Sequence, residues 1–206
     1  MYKGPTAGII LAAGMSTRLG SLKQLAKIGD STLLSMVVNA AIKSNLDRVV
    51  LVLGYKADTI KASMGGEFLN TGMITVVNPR YQEGMSTSLQ CGLEQVLDEF
   101  PSIMVLMGDQ PFLHQEIINL ILRVFLSSGK DICAPVHNGQ RGLPVCFTKR
   151  FYKDIFAVKG DMGAREVIRN NPEDIISAEI EDPESFLDID DKNDFEKIQL
   201  LIKSRS

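Results

Sequence analysis

The sequence predicts an α/β fold with a mostly parallel central sheet and helices on both faces. Three observations carry that prediction. The run Ala7-Gly8-Ile9-Ile10-Leu11-Ala12-Ala13 and the run Ile103 to Met107 are apolar without polar alternation, which fits strands covered on both sides, as parallel strands are. Segments with apolar residues at helical spacing stand between such runs. The resulting rhythm of strand, helix, strand, helix is the pattern of an α/β sheet.

Taken in order, Ala7 to Ala13 is the first strand. Leu33, Leu34, Val37, Val38, Ala41 and Ile42 follow a helical period, and Asp30 or Ser31 is the expected N-cap. Arg48 to Leu53 reads as a strand and Ala57 to Met64 as a helix. Met73 to Val77 is a strand stopped by Asn78-Pro79. A helix over Ser86 to Leu97, a buried strand over Ile103 to Met107 and a helix over Gln115 to Phe125 continue the alternation. After Asp131 the rhythm loosens into two short strands, Ile132 to Val136 and Leu143 to Phe147, around a Gly-rich turn; they are expected as an edge or lid. Phe186 to Asp190 reads as one more strand, and Phe195 to Ile202 as the final helix.

Composition narrows the function. With 206 residues and 45% hydrophobic content the chain can bury a real core as one domain. No apolar run approaches the roughly 20 residues of a membrane span, and a secretory leader is not expected because basic, polar loop chemistry follows the first apolar run at once. Three distant cysteines, Cys91, Cys133 and Cys146, lack metal-ligand spacing and point to a reducing cytoplasm. A net charge of −3 and 6% aromatic content leave no general nucleic-acid footprint. Charge is uneven, however. Residues 1 to 29 hold four cations, Lys3, Arg18, Lys23 and Lys27, and no acid, whereas residues 173 to 196 hold eleven acids and one cation, Lys192.

The first strand opens into Gly14-Met15-Ser16-Thr17-Arg18-Leu19-Gly20, with Lys23 beyond. Ligands in open α/β sheets bind at the carboxyl ends of strands, and a glycine-containing loop there can enclose an anion with its backbone N–H groups. Arg18 and Lys23 supply the countercharge. The loop is not a P-loop, because Gly20 stands six positions after Gly14 and Ser21-Leu22 follows; nor does it have the dinucleotide fingerprint, which needs Gly where Ser16 stands. Asp109, in Met107-Gly108-Asp109-Gln110-Pro111, follows another buried strand and is placed to hold Mg²⁺, which takes one or two carboxylates together with substrate phosphates. Asp188 and Asp190 alternate along their expected strand, and either could complete that site; Asp190 or Asp191 could instead cap the last helix.

Glu83-Gly84-Met85-Ser86-Thr87-Ser88-Leu89 is a second loop at a helix start, suited to a ribose, base edge or phosphate or simply to capping. Arg141 and Arg165 each stand beside flexible glycines, where an arginine can grip phosphate or rest in solvent. His114 and His137 have no partner at metal or triad spacing, and no cysteine carries a nucleophile signature. The chemistry is therefore positioning and charge neutralisation without a covalent intermediate.

Taken together, Leu11-Ala12-Ala13-Gly14-x-Ser16-x-Arg18-x-Gly20-x-x-Lys23, Gly84-Met85-Ser86-x-Ser88-Leu89, Gly108-Asp109-Gln110-Pro111, Gly160-Asp161-x-Gly163-Ala164-Arg165 and Asp188-Ile189-Asp190 resemble the molybdenum cofactor cytidylyltransferases, within the MobA-like nucleotidyltransferases. The resemblance implies one Rossmann-like nucleotidyltransferase domain over residues 1 to 206, in which 131 to 190 contribute acceptor-side loops and edge strands. It implies transfer of CMP from CTP to a molybdopterin-type cofactor with Mg²⁺ and release of pyrophosphate, and a molybdenum hydroxylase as recipient. Leu11, Ala12, Ala13, Gly14, Ser16 and Ser88 would hold the nucleotide, Arg18 and Lys23 the triphosphate, and Asp109 the metal. Arg141, Gly160, Asp161, Gly163 and Arg165 would serve the acceptor. The Leu-Ala-Ala-Gly form resembles the cytidylyl enzymes, guanylyl enzymes having Leu-Ala-Gly-Gly, while Leu143 stands where many relatives carry His or Asn. Three other readings stay open: guanylyl transfer to the same cofactor, cytidylyl transfer to a sugar or polyol phosphate, and a non-catalytic cofactor carrier.

Overall fold

The fold is that of a computed structural model, which describes residues 3–16, 22–65, 68, 71–189 and 191–203. In chain order, β1 (Thr6–Ala12) leads to a small hairpin, β2 (Lys27–Ile28) and β3 (Ser31–Thr32), then to α1 (Leu33–Lys43), β4 (Arg48–Leu53), α2 (Ala57–Met64), β5 (Ile74–Val77) and α3 (Met85–Leu93). The second half runs β6 (Ser102–Met107), α4 (Gln115–Ser127), β7 (Ile132–His137), β8 (Gln140–Arg141), β9 (Val145–Thr148), α5 (Tyr152–Ala157), α6 (Arg165–Asn170), β10 (Ile175–Glu179) and α7 (Lys192–Lys203).

The sheet order is β10-β7-β9-β6-β1-β4-β5, with β8 paired to β7. β1 lies parallel between β4 and β6, in register from Ala7 opposite Arg48 and Ile103. The chain thus lays β4 and β5 on one side of β1 and then returns to place β6 on the other, so a crevice forms between the carboxyl ends of β1 and β6, where open α/β sheets bind ligands. Every residue of β1 is buried. Its side chains alternate between two cores: Ile10 and Ala12 pack with α1 and α4, whereas Ala7, Ile9 and Leu11 pack with α3, α5 and α6. Continuous hydrophobicity is what a strand needs when each face meets a helix layer.

Several boundaries differ from expectation for identifiable reasons. Helix α1 is capped by Thr32, one residue beyond Ser31 and two beyond Asp30, the expected caps: its Oγ1 accepts from Ser35 N–H at 3.2 Å while Ser35 Oγ accepts from Thr32 N–H at 3.0 Å, a reciprocal box. Ser31 is instead held in the β2–β3 hairpin opposite Ile28. Helix α3 stops at Leu93, and tighter i to i−3 turns continue from Gln95 and Val96 back to Gly92 and Leu93.

The region after Asp131 is not a lid. β9 lies inside the sheet, antiparallel to both β6 and β7, and β10, absent from the sequence expectation, forms the edge parallel to β7. Phe186 to Ile189 is not a strand either. Pro183–Phe186 forms a 3-10 turn capped by Asp182, and the chain then touches the end of β6 through a bond from Ile189 N–H to Asp109 O at 3.2 Å. Ile189 is buried beside Leu33, Phe112 and Ile198, so this segment is fastened by side-chain packing against α1 and α7 instead of by a ladder. Asp191 accepts from Asn193 and Asp194 N–H at 2.8 and 3.0 Å and thereby caps α7. Asp190 lies outside the described residues. No described helix is long and apolar enough to cross a membrane.

Candidate active site

The crevice at the ends of β1 and β6 is a cavity of about 320 Å³ lined by the first loop, by Lys23 and Gln24, by Ser88 on α3, and by Asp109 and Asp161. Leu11, Ala12, Ala13, Gly14 and Ser16 all line it. Their placement follows from β1, which delivers them at its carboxyl end, and from Gly108, which lets the end of β6 approach: a Cβ there would lie 2.9 Å from Ala12 Cβ. Gly108 N–H also bonds Leu11 O at 2.9 Å. The loop is then fastened by Gln24, a residue the sequence motifs did not single out. Its buried amide donates to Ala12 O at 3.1 Å and to Gly14 O at 3.0 Å, and its Oε1 accepts from Ser16 Oγ at 3.3 Å. Ser16 has a left-handed backbone with φ of 54°, a conformation that costs a non-glycine residue energy and needs such restraint. Arg18 lies outside the described residues.

Opposite the loop, the start of α3 is positioned by Asn78, another residue without a motif. Only 1% exposed, Asn78 donates to Thr87 Oγ1 at 2.8 Å and Ser88 Oγ at 3.0 Å and accepts from Arg80 N–H at 2.9 Å. Gly84, with φ of 111°, packs so tightly on the following turn that a Cβ would lie 2.4 Å from the backbone carbon of Gly160. Across this contact Asp161 Oδ1 accepts from Met85 N–H at 3.2 Å. Gly163 sits on the same seam, its ideal Cβ position 2.8 Å from Met85 Sδ. The Gly160 to Gly163 turn therefore belongs structurally to the wall that carries Ser88.

Electrostatically the cavity centres on Lys23 and Asp109, whose Nζ and Oδ2 are 2.8 Å apart with side chains 11% and 20% exposed. The second carboxylate oxygen, Asp109 Oδ1, is buried and has no hydrogen-bond partner among the described residues. A buried carboxylate oxygen left without a donor is chemically suited to a divalent cation, because a hard cation takes oxygen ligands. No group of three or more His, Cys, Asp or Glu among the described residues is arranged to hold an ion; a single carboxylate such as Asp109 suits a metal that also takes phosphate and water as ligands.

A second cavity, of about 690 Å³, adjoins the first at Met107, which lines both. Arg141, Arg165 and Arg169 line it together with Gln110, Asp188 and Phe186. The residues expected on the acceptor side are thus divided: Arg141 and Arg165 face the second cavity, Asp161 the first. Asp188, expected beside Asp109 on a strand, instead lines the second cavity from the turn before α7. Arg169 and Gln110 were not anticipated there. Burial pushes the Cys133 thiol up to about 12 and the Cys146 thiol well above its ordinary value, so neither supplies a thiolate nucleophile.

Comparison with known proteins places this arrangement. The model of the MobA-like NTP transferase domain matches residues 8–175. The chain belongs to that family. Among its relatives, the molybdenum cofactor cytidylyltransferase of Escherichia coli K12 is 28% identical over 188 residues, covering 91% of this chain and 92% of that protein. Rv0371c from Mycobacterium tuberculosis H37Rv has the same fold, with a TM-score of 0.84 at 24% identity over 96% of this chain and 99% of that one; its manganese complex matches with a TM-score of 0.78 at 23% identity over 95% and 98%. A nucleotidyl transferase from Methanothermobacter thermautotrophicus gives 0.82 at 17% identity over 98% and 100%. This MobA-like protein is an enzyme of the nucleotidyltransferase type, with a Rossmann-like fold.

Proposed function

We propose that this MobA-like enzyme transfers CMP from CTP to the terminal phosphate of a molybdopterin-type cofactor, releasing pyrophosphate. The observation that carries the reading is the adjacency of two cavities with different chemistry. One offers loop backbone, the Ser88 hydroxyl, a lysine and a carboxylate with an unused buried oxygen; the other offers three arginines. A nucleoside triphosphate fits the first and a phosphorylated acceptor the second, and they meet at Met107. Support for cytosine and for the cofactor comes from the 28% identical Escherichia coli relative and from Ala12-Ala13 in the loop.

In this reading Leu11 to Gly14 and Ser16 hold the nucleotide from β1, and Ser88 contacts it from α3. Arg18 and Lys23 neutralise the triphosphate, and Arg141 and Arg165 grip the acceptor phosphate by paired N–H donors. Gly160, Asp161 and Gly163 keep the α3 wall in place, with Asp161 lining the first cavity. An acceptor phosphate oxygen attacks the α-phosphorus in line, a new P–O bond forms, and the bond to the β-phosphate oxygen breaks as pyrophosphate leaves. No general base is required, since the attacking phosphate is already ionised near neutral pH. Asp109 would hold Mg²⁺, with Asp190 in place of Asp188 as the further carboxylate because Asp188 lines the second cavity, and the ion when bound supplies charge neutralisation on the phosphoryl oxygens; the Mycobacterium protein of this fold forms a complex with manganese. The recipient of the product would be a molybdenum hydroxylase.

Pyrophosphate release measured across the four NTPs, with and without molybdenum cofactor, tests the reading. Release from CTP only in the presence of the cofactor is expected. Release from GTP would make it a guanylyl enzyme, release driven by a sugar or polyol phosphate would change the acceptor, and tight cofactor binding without release would make it a carrier.

A further inference from the structure

The Lys23–Asp109 contact carries a consequence for how metal enters. Asp109 Oδ2 is held by Lys23 Nζ at 2.8 Å, and both side chains are largely withdrawn from water, at 11% and 20% exposure. Charges at such a distance in a site of reduced dielectric interact strongly. An ammonium group and a divalent ion repel each other, so a metal entering at the Asp109 carboxylate meets the lysine already there. The cost falls when a second anion enters with the metal, because Lys23, which lines the same cavity as the loop backbone, can pass from the carboxylate to an incoming phosphate oxygen.

We infer that Lys23 is a counter-cation for Asp109 that excludes bare divalent metal and admits it together with a polyphosphate. This rests on the assignment of Asp109 as the metal-holding carboxylate, and it adds an order of events: metal and nucleotide enter as a unit, and the lysine changes partners as they do. The device also keeps Asp109 from being a buried charge without compensation before substrate arrives, a state that is strongly destabilising.

The experiment measures Mn²⁺ binding to the nucleotide-free protein by electron paramagnetic resonance. Wild type is expected to bind weakly, and Lys23→Met about tenfold or more tightly, because the competing cation is gone. Lys23→Arg, which keeps the charge, should stay as weak as wild type. Adding Asp109→Asn to Lys23→Met should abolish the gain. Mn²⁺ should also raise the melting temperature of Lys23→Met and leave that of wild type nearly unmoved. Should the Met variant fail to fold, Lys23→Gln, which can still donate a hydrogen bond to Oδ2 without the charge, takes its place. Unchanged or weaker Mn²⁺ binding on removal of the lysine charge overturns the inference, as does a gain that survives Asp109→Asn. The Asp109 assignment fails separately: an Asp109→Asn enzyme that keeps full metal-dependent pyrophosphate release removes the carboxylate from the metal site whatever Lys23 does.

Discussion

Replacing Gln24 by leucine tests whether the first loop is shaped by one buried amide. The side chain joins three points of the loop, donating to Ala12 O and Gly14 O at 3.1 and 3.0 Å and accepting from Ser16 Oγ at 3.3 Å. Leucine fills a similar volume and makes none of these bonds. Two carbonyl bonds at about 1 kcal/mol net each give a loss of about 2 kcal/mol, before any added penalty for carbonyls left dry. If that loss falls on the loop, which also holds Ser16 at φ of 54°, the fraction of molecules with a competent loop drops, and apparent nucleotide affinity drops with it by roughly thirtyfold.

The assay is the KM for the nucleoside triphosphate by pyrophosphate release, read beside urea unfolding. A raised KM with a small change in the urea midpoint locates the effect in the loop. Gln24→Glu sharpens the test, because it keeps an acceptor for Ser16 but turns a carboxylate toward two carbonyl oxygens. It should be worse than leucine despite being closer in shape. Unchanged KM and unchanged midpoint in both variants would refute the idea that the amide donors hold the loop.

Three further outcomes follow from other parts of the site and fold. Asp109→Asn should cut metal-dependent turnover by about a hundredfold or more, the scale on which loss of one preorganised electrostatic group is felt; a titration of pyrophosphate release against Mg²⁺ checks it. Gly84→Ala places a Cβ 2.4 Å from the Gly160 backbone at a φ of 111°, so it should cost about 1–3 kcal/mol in urea unfolding and also raise the nucleotide KM by displacing Ser88. Burial opposes ionisation of Asp131, but hydrogen bonds from Arg150 and Thr148 outweigh it and hold its carboxyl below the usual range. A depressed carboxyl contributes stability above its unfolded pKa of about 4 and loses it as pH falls through the lower folded value. Arg150→Ala should therefore flatten the fall in stability below about pH 4, a difference visible in urea midpoints taken from pH 6 to pH 3.

Much of the frame was legible in the chain because each element carried its own local signal. β4 and α2 fall where the periodicity puts them, at Arg48–Leu53 and Ala57–Met64, since continuous apolar runs and helical spacing report burial directly. β10 was missed because its edge position leaves four of its five residues partly or fully exposed, and a weakly buried strand has no continuous apolar run to betray it. The expected strand at Phe186 to Asp190 failed for the opposite reason: alternation was present, but the buried Ile189 found its partners in Leu33, Phe112 and Ile198, and a period of two does not say whether packing or a ladder satisfies it.

The candidate site divides along the same line. Lys23, Asp109 and Ser88 stand in motifs at the ends of strands or the start of a helix, so their convergence on one crevice follows once β1 and β6 are adjacent. Gln24 and Asn78 act on partners 8 to 12 positions away in the chain, across turns whose geometry no local period encodes. Their signal was chemical: an amide directly after Lys23 and an amide directly after the end of β5, each at a place where loop carbonyls or hydroxyls need a polar partner once water is gone. A side chain that can donate and accept at once joins two such groups without adding charge to a cavity already governed by Lys23 and Asp109. That is why amides, not further acids or bases, stand behind the residues that meet the substrate.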